Sequence, residues 1–174
     1  MRRWLLLVSV VFALAVLFFF FPGLLLALQS LTWIQRLPSQ NPEARFFHNM
    51  AYDEARGEAV LFGGFAGQSA LFNTWAWNGS DWVQRFPVQS PPARYNHAMA
   101  YDGAREEVVL FGGFPFPSGT LFSDTWLWDG ITWIQSFASG PSRRGAHAMA
   151  YDAVRREVLL FGGSGQTGGS MGDT

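Results

Sequence analysis

The sequence predicts an all-β protein assembled from four-stranded antiparallel units. Three observations predict it. First, one motif recurs: "ARFFHNMAYDEARGEAVLFGGF" from Ala44, "ARYNHAMAYDGAREEVVLFGGF" from Ala93 and "RRGAHAMAYDAVRREVLLFGGS" from Arg143. His48, His97 and His147 follow at intervals of 49 and 50, and Gly63-Gly64, Gly112-Gly113 and Gly162-Gly163 keep the same spacing. Second, 19 Gly, 9 Pro and 8 Trp in 174 residues suit short strands joined by turns rather than helices. Third, every copy divides into short apolar segments punctuated by turn residues.

Taken in order, those segments make four strands per repeat. "HAMAY" alternates large His97, Met99 and Tyr101 with small Ala98 and Ala100, the period-two pattern of a strand. "EVVLF" is a continuous apolar run, as a strand buried on both faces requires. Between them, Asp53/Arg56, Asp102/Arg105 and Asp152/Arg155 read as tight-turn pairs, with Asp accepting local backbone hydrogen bonds. "NTWAWNGSDWVQ" and "DTWLWDGITWIQ" then supply the third and fourth strands around Asn-Gly and Asp-Gly turns. Four strands in about fifty residues, repeated, is the pattern of β-propeller blades.

The blades are read as residues 44–86, 93–137 and a partial 143–174, with a lone strand at 31–36 that opens on "LTWIQ" (31–35). Propellers have about four to eight blades, so about three make an incomplete ring. The expectation is a fragment whose missing blades lie in the rest of a longer chain. Half-rings that complete each other as an oligomer are the alternative.

Residues 1–29 stand apart. Arg2 and Arg3 precede an apolar run from Trp4 to Phe21 broken only by Ser9, and Pro22-Gly23 ends it. A positive end, an apolar middle and a small residue near the exit describe an export signal, and the length also suits one hydrophobic membrane helix. Cleaved signal peptide or uncleaved signal anchor, the positive-inside rule keeps the arginines in the cytoplasm and places the remainder outside it. The membrane is a partner only if the segment is uncleaved.

The repeats resemble kelch repeats. The double glycine after an apolar strand carries the resemblance, together with Trp75 seven residues before Trp82 and Trp126 seven before Trp133. The Arg-x-x-His lead-ins Arg45/His48, Arg94/His97 and Arg144/His147 support it. The family more often carries Tyr where Trp75 and Trp126 stand. The resemblance covers residues 31–174 and implies kelch-type blades. It specifies no activity, because fold alone does not. Copper oxidases of the galactose oxidase type share a kelch-like propeller, but their radical cofactor needs a Cys cross-linked to Tyr, and this chain has none.

Function is sought where the copies differ. All twelve basic residues are arginines; outside residues 1–29, ten face thirteen acids, a net charge of −3. A weakly acidic chain without basic clusters does not suit nucleic acid. Without Cys, disulfides, thiol catalysis and Cys-ligated zinc are excluded. No cofactor is implied. The repeated histidines, glycines and tryptophans are assigned to architecture, since a catalyst needs one site and a blade needs the same strand every time.

The second-to-third connections, 64–73 and 113–124, are long, as are the Pro-rich passages between repeats. In an up-and-down sheet both classes emerge at one end, where recognition is usually built. The candidate ligand-binding residues there are Phe65, Gln68, Phe114, Phe116, Ser118 and Phe122, with Arg94 and Arg144 at the strand starts. The sequence thus reads as an exported recognition module for a protein or glycan. The alternative is an extracytoplasmic enzyme acting on sugars, with its catalytic residues in missing blades.

Overall fold

The structure, a computed structural model, describes residues 33–174. The chain divides into two units, 1–36 and 37–174. The expected hydrophobic helix and export segment lie outside the described residues. Of the strand expected at 31–36, the described residues 33–36 form none. A strand exists only as part of a hydrogen-bonded ladder, and these residues enter none. No helix among the described residues is long and apolar enough to cross a membrane.

Residues 37–174 are all β. The first repeat forms a sheet ordered β1 (Asn49–Asp53), β2 (Glu58–Phe62), β5 (Thr74–Trp77) and β6 (Trp82–Arg85). The second forms its counterpart from β7 (Ala98–Asp102), β8 (Glu107–Phe111), β9 (Thr125–Trp128) and β10 (Trp133–Ser136). All neighbours are antiparallel, and the registers match: Asn49 pairs with Phe62 as Ala98 pairs with Phe111. The third contributes β11 (Ala148–Asp152) and β12 (Glu157–Phe161) as a two-stranded sheet, with residues after Phe161 largely irregular. One element escapes the sequence pattern. The 64–73 connection folds into a small hairpin, β3 (Phe65–Ala66) with β4 (Ser69–Ala70).

The tight turns form as expected from their Asp-x-x-Arg pairs. Arg56, Arg105 and Arg155 contact Asp53, Asp102 and Asp152 at 2.8, 2.6 and 2.6 Å. The last turn residue has positive φ each time, at Gly57, Glu106 and Arg156. Only the first copy uses the residue type that adopts this conformation without steric cost.

The sheets pack with β1, β7 and β11 side by side. Pleating decides which residues meet. Val60 and Phe62 of the first sheet face Met99, Val108, Leu110, Trp126, Trp128 and Trp133 of the second, forming the main core. Within it, buried Trp133 donates its Nε1–H to Thr74 Oγ1 at 2.9 Å, so its polar handle is satisfied across the interface. Trp126 likewise donates to Asp124 at 2.6 Å. The outer pairs Trp77–Trp82 and Trp128–Trp133 sit at 5.6 and 5.4 Å.

Candidate functional site

The repeated motif explains itself as a clasp between sheets. Gly63 has φ +59°, and a Cβ there would lie 2.7 Å from the Arg94 carbonyl and 3.2 Å from His97 Cε1 of the next repeat. Gly112 repeats this against the Arg144 carbonyl and His147 Cε1, at 2.5 and 3.1 Å. The second glycine makes room for its own repeat's histidine: a Cβ on Gly64, Gly113 or Gly163 would lie within 3.0 Å of the Cβ of His48, His97 or His147. Gly64 N–H and Gly113 N–H then donate to the Arg94 and Arg144 carbonyls at 3.0 and 2.9 Å. Double glycine and Arg-x-x-His are therefore two halves of one joint.

The histidines are packing groups. Phe62 and Phe111 meet the rings of His97 and His147 edge to face at 5.7 and 5.6 Å. Among the described residues neither nitrogen of His97 or His147 has a hydrogen-bond partner in good geometry, the Phe62 backbone beside His97 favouring its protonation only slightly. Burial, reinforced by the Arg94 charge, pushes His97 down to about 3; burial beside Arg144 pushes His147 down to about 4.

Both shifts have one consequence for acid stability. Unfolded histidines, with a pKa of about 6.5, take up protons that the folded ones refuse. Stability is full above that pH and falls with pH until the folded values are reached. At about 1.36 kcal/mol per pH unit for each group, His97 and His147 together remove about 4 kcal/mol between pH 6.5 and 5. Urea titrations across that range are expected to show this slope, and His97→Leu is expected to remove about half of it. A flat profile above pH 5 would refute the assignment.

Arg94 and Arg144 require a correction. Both are fully buried, 0% exposed, and available to no surface ligand. Arg94 grips Asp124 with two hydrogen bonds at 2.7 and 2.8 Å and donates to the Gly112 carbonyl at 3.0 Å. Arg144 does the same with Asp173, at 2.8 and 2.6 Å, and with the Gly162 carbonyl. Arg45 has a neutral partner, Asn73 at 2.6 Å, besides the Gly63 carbonyl. Burial would raise the Asp124 carboxyl, but the Arg94 hydrogen bonds and charge outweigh it and hold the group below the usual range. Read from sequence alone, these arginines sat beside a loop face. In the fold both side chains are enclosed, and the Arg94 head ties the entry of β7 to Asp124, just before β9.

The other candidates divide into two groups. Phe65, Phe114 and Phe116 fall into one aromatic cluster, while Gln68 and Ser118 are exposed near its rim. Phe122 lies apart under the Arg94 guanidinium, 4.0 Å from cation to ring centre. That contact helps to seat the buried arginine.

The cluster extends beyond the loops. Phe65 contacts Phe46, Tyr95 and Phe116 at 5.5, 5.4 and 4.9 Å, and Tyr95 stacks on Phe114 at 5.5 Å. Phe47 joins through Phe46 at 4.8 Å and Tyr95 at 6.1 Å. Isolated bridges make this register, pairing Phe46 with Phe65 and Tyr95 with Phe114. At the same bridge of the third repeat Gly145 and Ser164 stand, and the Phe114 ring occupies the space above Gly145.

The result is an aromatic strip across two repeats, open to solvent at Phe46, Phe47 and Phe116, which are 52%, 51% and 42% exposed. Phe46, Phe47 and Tyr95 were not among the sequence candidates. Their signal was present: the two positions inside Arg-x-x-His read Phe-Phe, Tyr-Asn and Gly-Ala, the most variable stretch of the motif. A separate cleft of about 450 Å³ opens between β4 and β6, lined by Ser69, Phe72, Gln84, Arg85, Phe86 and others, and none of the strip's rings lines it.

No protein-family model and no curated protein matches the sequence. The fold is similar to the solved structure of YjhT, with a TM-score of 0.63 over 77% of this chain, at 16% identity. Agreement at that identity concerns the fold alone. The present chain spans 43% of the length of YjhT.

Proposed function

We propose that the chain is a kelch-type β-propeller recognition module, exported or tethered by residues 1–29, that binds a glycan or protein through its aromatic strip. The repeat pattern and the matching registers of the two four-stranded sheets support the propeller reading. The strip carries the functional reading. Six aromatic rings, Phe46, Phe47, Phe65, Tyr95, Phe114 and Phe116, meet at one end of a rigid scaffold, and three remain half exposed. A contiguous group of apolar rings kept half in water marks an interaction surface, and aromatic anchors dominate binding energetics.

The strip is asymmetric although the fold repeats. Its replacement by Gly145 and Ser164 in the third repeat gives one edge where a ligand can lie beside the rings rather than only above them. Ring faces suit either sugar C–H surfaces or apolar peptide side chains.

Substituting Phe46 and Phe116 together by Ser is expected to weaken binding to arrayed oligosaccharides or peptides by about tenfold or more. The melting temperature is expected to move by less than about 3 °C, since both rings are about half exposed. Unchanged binding with the fold intact would refute the assignment of the strip.

A further inference from the structure

One turn departs from its counterpart in the next repeat in a way that carries chemistry. Between β5 and β6 the chain reads Asn78-Gly79-Ser80-Asp81, and between β9 and β10 it reads Asp129-Gly130-Ile131-Thr132. The two turns share a backbone. Asn78 N–H donates to Asp81 O at 3.2 Å as Asp129 N–H donates to Thr132 O at 3.3 Å, and the glycines stand at φ +97° and +95°. In both turns the first side chain accepts hydrogen bonds from the two residues after the glycine. Asp129 Oδ1 accepts from the Ile131 and Thr132 N–H groups, both at 2.8 Å. Asn78 Oδ1 accepts from the Ser80 and Asp81 N–H groups at 3.0 and 2.9 Å, and from a third donor, the Ser80 hydroxyl, at 2.9 Å.

Three donors on one amide oxygen act on that carbonyl as an oxyanion hole does: they draw charge toward oxygen and leave Cγ electrophilic. The nucleophile adjoins it. Gly79 N is bonded to the main-chain carbonyl carbon of Asn78, so its attack on Cγ closes a five-membered ring without bringing two molecules together. The Gly79 N–H donates to no acceptor among the described residues, and glycine brings no side chain against the forming ring. In the second repeat Arg56 lies over Gly130, yet Asp129 and Gly130 stay partly exposed, so water reaches this position of the turn even with a neighbour in place.

We propose that Asn78 is a self-modifying site, converted through attack by Gly79 to aspartate or isoaspartate, and that the carboxylate so formed loosens the hold of Asp81 on residues 39–40. The Gly79 nitrogen bonds to Asn78 Cγ and gives its proton to water. The side-chain amide nitrogen takes a proton from water and leaves as ammonia, closing a succinimide. Water then opens the ring at either carbonyl. One water is consumed, one ammonia is released, and nothing is oxidised or reduced.

The new carboxylate changes the charge arrangement of the turn. Each turn holds one acid: Asp129 with neutral Thr132 in the second repeat, neutral Asn78 with Asp81 in the first. Asp81 uses its carboxylate on the chain entering its repeat, accepting from the Ser39 hydroxyl and from Gln40 N–H, the latter at 3.0 Å. Those hydrogen bonds hold its carboxyl below the usual range. At the equivalent place Thr132 Oγ1 accepts from Gln89 N–H at 3.3 Å. Conversion sets a second ionised acid beside Asp81, where like charges repel, and isoaspartate also adds a methylene to the turn backbone. The site uses no residue of the aromatic strip and is independent of any ligand bound there.

The test follows Asn78 in the purified full-length chain, held in detergent micelles at neutral pH, either folded or unfolded in urea. Mass spectrometry reads the amide-to-acid change, and labelling by isoaspartyl methyltransferase reads the isoaspartate. The expected result is faster conversion in the folded chain than in urea. Ser80→Ala removes the third donor and keeps the two backbone donors that suffice in the second repeat. It is expected to slow the folded rate about fivefold, the effect of losing one hydrogen bond, and to leave the rate in urea unchanged. Conversion no faster in the folded chain than in urea, or a folded Ser80→Ala rate equal to the native one, overturns the modification site. Amide hydrogen exchange at Gln40 reads the consequence. Asn78→Asp, the residue this turn carries in the second repeat, is expected to speed that exchange about twofold to fivefold. Adding Asp81→Thr restores the one-acid arrangement and is expected to slow it again. Exchange at Gln40 unchanged in Asn78→Asp overturns the loosening of the Asp81 contact.

Discussion

Replacing Arg94 by Met is expected to cost about 3–5 kcal/mol of stability, the range for removing one partner of a buried ion pair. The guanidinium is wholly enclosed and makes four hydrogen bonds, to both Asp124 oxygens and to the Gly112 and Pro92 carbonyls. Methionine fills much of the volume but leaves a carboxylate in a partly buried site with only Trp126 to answer it. The Asp124 carboxyl, held low in the native chain, then rises, so the variant loses further stability as pH rises above the ordinary Asp value of about 3.9, where an unpaired carboxylate must ionise. Adding Asp124→Asn is expected to restore about 1–2 kcal/mol, because it removes the stranded charge. The first repeat already carries the neutral residue at this position, Asn73, where it accepts from Arg45. Urea unfolding of the single and double variants measures both effects. If Arg94→Met unfolds at the native midpoint, the clasp is not what holds the third-strand start.

Gly112→Ala is expected to be comparably severe, at about 3–5 kcal/mol, from two sources. A non-glycine residue at φ +65° carries a conformational cost of about 1–2 kcal/mol. The added methyl also meets backbone, the Arg144 carbonyl at 2.5 Å, and backbone cannot rotate away as a side chain can. Relief requires the second and third sheets to separate, which breaks the Gly113–Arg144 hydrogen bond at 2.9 Å and moves His147 off Phe111. Overpacking of this kind adds a further few kcal/mol. Gly67→Ala is the control: it also has positive φ, but nothing lies within 4 Å of its Cβ, so it is expected to cost about 1 kcal/mol. Similar melting temperatures for the two alanine variants would show that conformation alone, not the interlock, requires glycine at position 112.

Much of this architecture was legible in residues. The alternation in "HAMAY", the apolar run in "EVVLF" and the Asp-Gly turns placed β7 through β10 within one or two residues. Repetition of the whole pattern led to reading His48, His97 and His147 as architecture, and the structure sets His97 and His147 edge to face on Phe62 and Phe111. Asp173 was also readable: aligning "GDT" with "SDT" sets it opposite Asp124, and the structure puts it on Arg144 as Asp124 sits on Arg94. The β3–β4 hairpin was not readable, because Phe-Ala-Gly-Gln-Ser-Ala carries no alternation over so short a span.

The site was half legible for a different reason. Loop length and composition singled out Phe65, Phe114 and Phe116, but a strip needs partners from elsewhere in the chain. Phe46 and Tyr95 reach it because single bridges pair them with residues 19 positions downstream, a relation fixed by register and not by adjacency. Arg94 and Arg144 failed in the opposite sense. A basic residue beside a loop reads as available, and only burial against Asp124 and Asp173 removes it from the surface.

The sequence by itself therefore determined the strands, their turns and the fact of repetition, since each depends on local pattern and spacing. Tertiary structure alone decided which arginines are buried and which aromatic rings share a face. Those are properties of side chains brought together across repeats, and a linear pattern records what each repeat contains but not which side of it meets its neighbour.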